Sequence, residues 1–423
     1  MFAGCAALFR PWIGINSYYL LAILGPQYIW WWNFQGLRVS FIIALATIIG
    51  FTLEWAKGGY DYSFLFNKKN YWLFVLWAFI VLSYYQGPYV SGFSSAGLGP
   101  SRVFSITNTI FFFYFLSTLE INSLKKIRFL IIIFVVSTLY LTYWANNQYL
   151  SQNWYQFNWG RLMGPFDIYG GSIYKDENAF AMLFATGLPF VYYLGWELKN
   201  RILRWFLWAM IPLGWHAIFL TGSRGGLVAL GSVMVCVLLL SNRKLLVIPL
   251  LVLFMVFYQW QAGSVMTQRS QMIVEYEGEG SAEMRIAAWT GGYRMILDHP
   301  IFGVGLASFI TALPDYYETS PRVAHNTFVQ YAAESGIVAG LAYLIVVYLF
   351  LKQSFKIRAW CRKKDGSRDV ERIDLYNNAC TASFAGLFVC GLFLSLNTYE
   401  IFFVLLLINN CLLSLVTKEE ALA

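Results

Sequence analysis

Runs of about 18 or more apolar residues recur from one end of the chain to the other, and each is long enough to cross a hydrocarbon layer about 30 Å thick. Twelve are counted, over 12–30, 36–53, 70–86, 99–118, 127–146, 178–196, 203–221, 224–241, 244–260, 326–351, 376–397 and 400–417. Lipid offers backbone N–H and C=O groups no partner, so a segment that must satisfy its own polar groups becomes a helix. The expectation is an all-α, polytopic integral membrane protein with about twelve transmembrane helices. With 58% hydrophobic and only 12% charged residues, an ordinary soluble domain is excluded. The first run has no charged n-region and no small-residue cleavage site, so it reads as a retained span.

The runs divide the chain into three parts. Residues 1–260 hold nine helices and an outer loop at 147–177, residues 261–325 form the longest outer loop, and residues 326–423 hold the last three helices. Loops of such length in a compact membrane protein carry function or move. The aromatic stretch "YIWWWNF" at 28–34 reads as part of an interfacial belt. Six cysteines show no Cys-x-x-Cys spacing and three histidines form no ligand pattern, so no disulfide framework, metal or other cofactor is expected.

An even number of spans puts both termini on one side, and the basic residues then sort unevenly. Of the 30 lysines and arginines, 21 fall on the side of the termini. By the positive-inside rule that side is cytoplasmic. The basic stretch 352–372 is its largest cluster, read as a topology anchor near anionic lipid. The other side holds Arg38, Arg102, Arg161, Lys175, Arg224, Arg269, Arg285, Arg294 and Arg322. Nearly all are arginine, the residue suited to bidentate recognition of phosphate and carboxylate. The net charge of +8 is thus a matter of placement in the membrane, and no nucleic-acid partner is expected.

Four outer stretches carry the candidate chemistry. In "FLTGSRGGLVAL" (219–230) Arg224 stands between two apolar runs with no acidic neighbour, Ser223 before it and Gly225 after it allowing close approach of a ligand. A plain turn there needs only Gly, Ser or Asn, while an arginine at membrane depth costs about 2.5–3.5 kcal/mol. In "HNTFVQYAAESG" (325–336) His325 precedes a helix start that Asn326 or Thr327 is placed to cap. The helix dipole there favours a neutral imidazole able to accept a proton. In "GRLMGPFDIYGGSIYKDENAFAM" (160–182) Asp176 and Asn178 read as caps, which leaves Arg161 unexplained. In "AEMRIAAWTGGYRMILDHPIFGVG" (282–305) an outer amphipathic helix over 282–297 is expected to carry Arg285, Trp289 and Arg294 on similar faces. The acidic residues before it, Glu275, Glu277, Glu279 and Glu283, read as a solvated loop. His216 and His299 read as structural.

Together, "GSRGG" between spans, the arginine-bearing "MRxxxW" segment followed by "HPIFGVG", and "HN" ahead of Gly336 resemble the O-antigen ligase and polymerase superfamily of bacterial membrane proteins, over roughly 160–345. The short "RPWIG" at 10–14 is similar to the branch of O-glycosylation ligases associated with exosortase systems. The resemblance implies an all-helical membrane glycosyltransferase (GT-C-like) in the bacterial inner membrane, its active site facing the periplasm. It would move a glycan from an undecaprenyl-diphosphate carrier to a lipid, protein or glycan acceptor. A metal-independent reaction is implied, with Arg161, Arg224, Arg285 and Arg294 on the diphosphate and His325 as base, in a direct displacement with inversion. Ser223, Gly225, Asn326 and Asn178 would support them. A polysaccharide polymerase shares this chemistry. A lipid-linked glycan or solute transporter is the reading from another class, but no internal repeat or mid-span charge pair of the transporter kind is present.

Overall fold

The computed structural model of the chain describes residues 2–92, 98–167, 170–171, 173–241, 248–249, 252–256, 278–364 and 366–422. Its long helices are α1 (Phe2–Phe9), α2 (Pro11–Leu24), α3 (Val39–Ala56), α4 (Lys68–Gln86), α5 (Pro100–Glu120), α6 (Leu124–Leu150), α7 (Glu177–Glu197) and α8 (Arg201–Thr221). They continue as α9 (Arg224–Leu240), α10 (Gly278–Asp298), α11 (Phe309–Tyr316), α12 (Thr327–Ser335), α13 (Ile337–Lys363), α14 (Arg368–Gly391) and α15 (Glu400–Leu422). The protein is an all-α polytopic membrane protein, as the apolar runs require. Among the described residues seven helices are long and apolar enough to cross a membrane: α3, α5, α6, α7, α8, α13 and α15. The apolar helices α2 and α9 are shorter. The expected ninth span, 244–260, lies largely outside the described residues, as do Arg269, Glu275 and Glu277 and the side chain of Glu279.

Helix starts follow from local chemistry. Side-chain oxygens of Asn67, Ser123, Asp176, Asn200, Ser223, Asn326 and Ser367 each accept from backbone N–H groups of the first turn of α4, α6, α7, α8, α9, α12 and α14. Without such caps the first N–H groups of a helix have no partner. Two of the expected spans are broken by glycine. The run 12–30 stops at Gly25, whose φ of 63° ends α2 before Pro26 begins a single further turn. The run 326–351 is divided at Gly336, φ 87°, into α12 and α13.

At the centre lies α7, buried at every position from Ala179 to Gly195. It packs on α6, α8, α9 and α14. The opposite extreme is α3, with only 17% of its apolar window buried inside the protein. Its remaining surface is the kind that lipid covers.

A second, smaller core lies under α10, α11 and α12, where Ala288, Met295, Phe309, Leu313 and Ala333 are buried together. A backbone bracket joins it to the membrane helices. The N–H groups of Val304 and Gly305 donate to the carbonyls of Ala333 and Glu334 at 2.9 and 3.0 Å, and the Ile337 N–H donates to the Pro300 carbonyl at 2.9 Å. The Ser83 hydroxyl on α4 donates to the same Glu334 carbonyl at 2.6 Å. Such close approach requires glycine: a Cβ at Gly303 would meet the Glu334 carbonyl, and one at Gly336 would meet that of Ile301. The glycines of "HPIFGVG" and "ESG" are therefore two halves of one joint.

Gly336→Ala combines a positive φ with this clash, so it is expected to destabilise the protein by more than about 1 kcal/mol. Gly231→Ala on α9, where an added Cβ meets nothing within 4 Å, is expected to be neutral or stabilising by about 0.5–1 kcal/mol. Thermal unfolding in detergent reads both.

Candidate active site

Three pieces of chain converge on one cavity of about 540 Å³. The first is built on α7, the α8–α9 turn and the loop before α7. Thr221 ends α8, Gly222 turns the chain with φ 63°, and Ser223 caps α9 by accepting from the Gly226 N–H at 3.0 Å. The Ser223 hydroxyl in turn donates to Asn178 Oδ1 at 2.7 Å, tying the first turn of α7 to that of α9. Gly226 lets the helices close, since its Cβ would lie 2.5 Å from that of Ala181. Arg224, exposed, then sits at the first position of α9, at the cavity wall.

Arg161 reaches the same wall from a small hairpin, β1 (Phe157–Asn158) paired with β2 (Arg161–Leu162). Trp159 and Gly160, with φ of 49° and 71°, supply the two left-handed residues that a two-residue hairpin turn requires. The Arg161 side chain runs beside Gly222, where an added Cβ would stand 3.2 Å from its Cγ. Its Nη1 meets Glu177 Oε1 at 3.3 Å. Both partners are partly solvated, so the pair contributes little to stability, about 0–1 kcal/mol.

The second piece carries Arg285 and Met284 from α10 and Arg322 and His325 from the segment before α12. His325 is held through its neighbour. The Trp289 indole N–H donates to the Ala324 carbonyl at 2.9 Å, and the Ala324 N–H donates to Gln330 Oε1 at 2.9 Å. His325 itself has φ 49°, a conformation a non-glycine residue adopts only when its surroundings impose it. Burial pushes its imidazole below the ordinary range, and the positive charges of Arg285 and Arg322 push it further. The neutral ring is the favoured form.

Phe393 and Leu394, just past α14, close the cavity between the two. Asn326 caps α12 through the Val329 N–H at 3.0 Å and donates from Nδ2 to the Leu392 carbonyl at 3.2 Å. The Thr327 hydroxyl donates to the Leu394 carbonyl at 2.8 Å. The start of α12 is thus fastened to this third wall.

Of the residues expected from sequence, Arg161, Arg224, Arg285, His325, Asn178 and Gly225 line this one cavity, while Ser223 and Asn326 hold its walls. Arg294 is not brought to it. Nine residues beyond Arg285, at about 100° per residue, it lies on the opposite face of α10. Its Nη1 donates to the Tyr316 carbonyl at 2.7 Å and its guanidinium lies over the Tyr317 ring. Trp289, four residues from Arg285, does share its face. Asp176, read as a cap, is one, accepting from the N–H groups of Asn178 and Ala179; Asn178 instead serves Ser223. Arg322 and Glu177 are lining residues that the sequence reading did not single out. Arg322 stands three residues before His325 in the outer arginine set, which was the available signal.

Among the described residues neither Arg224 nor Arg285 has a hydrogen-bond or ion-pair partner. The first turn of α9 contains no acidic residue. Arg224 and Gly225 of this turn line the cavity, so a guanidinium and the positive end of a helix dipole lie together at its wall, an arrangement that favours an anion. Among the described residues no three His, Cys, Asp or Glu side chains gather to hold a metal.

The fold and this cavity define a polytopic helical membrane protein with an arginine-lined cavity at one end of its helices. Residues 208–344 match the family model described as O-Antigen ligase. That match supports placing the chain in the O-antigen ligase-like superfamily, whose members are in general glycan-transferring ligases or polymerases. The matched region contains Arg224, Arg285, Arg322 and His325 but not Arg161, Glu177 or Asn178. No curated protein matches the chain.

Inorganic pyrophosphate, the charged part of a lipid diphosphate, is expected to raise the thermal midpoint of the detergent-purified protein. Loss of a charge-assisted hydrogen bond costs about 1.5–3 kcal/mol, so Arg224→Ala and Arg285→Ala should each weaken the pyrophosphate titration by at least about tenfold. Arg294→Ala should leave it unchanged.

Proposed function

We propose that the protein transfers a glycan from an undecaprenyl-diphosphate carrier to an acceptor hydroxyl at the periplasmic face of the inner membrane, as an O-antigen ligase-type enzyme with both termini cytoplasmic. The observation that carries this reading is the meeting of Arg161, Arg224, Arg285, Arg322 and His325 around one cavity. Arginines from two separate walls match a group with two phosphates, and one histidine among them matches a proton to be removed.

In the reaction the acceptor oxygen forms a bond to the anomeric carbon, and the bond from that carbon to the diphosphate oxygen breaks. The electron pair leaves with the carrier diphosphate, whose added charge Arg161, Arg224 and Arg285 stabilise, with Arg322 as a fourth cation. Such donors, already gathered around the cavity before the reaction, act on the charge as it develops. Diphosphate leaves without a general acid. The acceptor hydroxyl is the weaker partner, and its proton passes to the neutral His325 imidazole. The cations that depress the histidine's affinity for protons also keep it ready at neutral pH. Glu177 holds Arg161 in place while the site is empty of phosphate.

With purified protein and a lipid-linked donor, His325→Ala is expected to lower transfer by about 100-fold or more, the usual contribution of a general base, while carrier-lipid binding persists. Near-normal transfer would remove His325 from the mechanism. The rate should be flat at neutral pH and fall on acidification, with a midpoint below the ordinary histidine value of about 6.5. Removing either neighbouring cation, by Arg285→Gln or Arg322→Gln, favours the imidazolium and so moves this acid limb to higher pH. A limb that stays in place in both variants, or moves to lower pH, argues against His325 as the titrating base. Deleting the gene and finding intact lipid-linked polymer accumulate supports a ligase; loss of long chains with single units still attached indicates a polymerase.

A further inference from the structure

The opposite end of the molecule holds a second charged cavity, unrelated to the transfer site. The α6 helix, 27 residues and about 40 Å long, runs between the two. Its last turn leads toward the Arg161 hairpin, and its first turn, with Ser123, Lys125 and Lys126, lines a cavity of about 870 Å³. Arg10 and Lys57 complete its basic rim, against one acidic lining residue, Glu54.

The cavity is built by the break between α1 and α2. Arg10, with φ −142°, leaves the helical conformation and Pro11 starts α2 afresh. The two short helices are locked on α3, where a Cβ at Gly50 would collide with the Ala7 carbonyl and one at Gly14 would collide with Thr47. This is what the "RPWIG" stretch does locally: it turns Arg10 to the rim and Trp12 to the wall, edge-on to Phe129 with ring centroids 5.5 Å apart.

Charge and surface point to the same ligand. The Lys126 ammonium donates to the Glu120 carbonyl and to Asn122 Oδ1 at 2.7 and 3.1 Å. Among the described residues the side chains of Arg10, Lys57 and Lys125 have no hydrogen-bond or ion-pair partner. Below this rim lie Phe9, Ile49 and Leu53, whose exposures of 85%, 41% and 55% continue into the outward face of α3. A free phosphate would use only the rim. A molecule with a phosphate head and hydrocarbon tails would use both.

We propose that this cavity binds the headgroup of an anionic phospholipid, with its acyl chains along α3. Basic pockets between membrane helices hold such headgroups, each nearby Lys or Arg contributing about fivefold in affinity. Detergent-purified protein would be incubated with equal amounts of dioleoyl phosphatidylglycerol and dioleoyl phosphatidylcholine, and the retained lipid read by native mass spectrometry. The parent protein is expected to enrich phosphatidylglycerol. Lys57→Gln with Lys125→Gln, both at exposed positions, should bring the ratio close to parity. Ile49→Trp with Leu53→Trp keeps every charge but fills the floor, and should do the same; its thermal midpoint checks that it has folded. Enrichment that survives the lysine variant, or that survives the filled floor in folded protein, overturns the proposal. Displacement of phosphatidylglycerol by millimolar inorganic phosphate would also overturn it, in favour of a soluble phosphate ligand.

Discussion

The site depends on a joint of glycine and backbone between residues 300–305 and 333–337. Hydrogen bonds from Val304, Gly305 and Ile337 fasten the end of α12 to the segment following α10. Because Arg285 rides on α10 and His325 leads into α12, this joint sets where the two side chains stand. Trp289 and Gln330 then clamp Ala324 from the same two helices. The second wall of the cavity is thereby positioned by contacts that involve none of its charged groups. Arginines gathered around an empty site repel one another, so the geometry must be maintained by packing and backbone bonds and not by the charges themselves.

The two adjacent helix starts at the other wall show how charge has been distributed. α7 opens with Asp176 and Glu177, acidic groups that suit a helix N-terminus, and Asp176 accepts from the N–H groups of Asn178 and Ala179. α9 opens with Arg224, which does not. A cation placed against the positive end of a helix is unfavourable unless an anion comes to both. The ion pair of Arg161 with Glu177 and the absence of an acidic residue in the first turn of α9 thus give one wall two differently prepared cations. In the proposed reaction the first is held by a carboxylate that the diphosphate must displace, and the second is left for it.

The class of fold was legible in the apolar runs, because lipid leaves a long apolar segment no alternative to a helix. Arg161, Arg224, Arg285 and His325 were legible as candidates because basic residues are few on the outer side and nearly all arginine, and because turns and caps alone do not require them; the structure brings all four to one cavity. Arg294 shows the limit of reading helical spacing by eye, since two and a half turns separate it from Arg285 and reverse its face. The division of the run 326–351 at Gly336 was hidden because the reason lies thirty-five residues upstream, in the Ile301 carbonyl that leaves no room for a side chain. Phe393 and Leu394 carried no local signal at all. They line the site only because Asn326 and Thr327 bond to the backbone after α14, and contacts of that range leave no periodicity in a single sequence.

The same reasoning separates the two charged ends of the molecule. At the proposed transfer site the cations are arginines, set on a hairpin with a two-residue turn, a helix start, a helix interior and the segment before α12, and offered from two walls. At the other end three of the four cations of the cavity rim, all but Arg10, are lysines, point charges on flexible stems above an apolar floor. A reacting diphosphate must be held in one orientation, which favours planar donors on fixed supports. A lipid headgroup has only to be attracted and retained while its chains pack against the helix, and flexible lysines are sufficient. The residue types at the two ends differ in the way that the two proposed tasks differ.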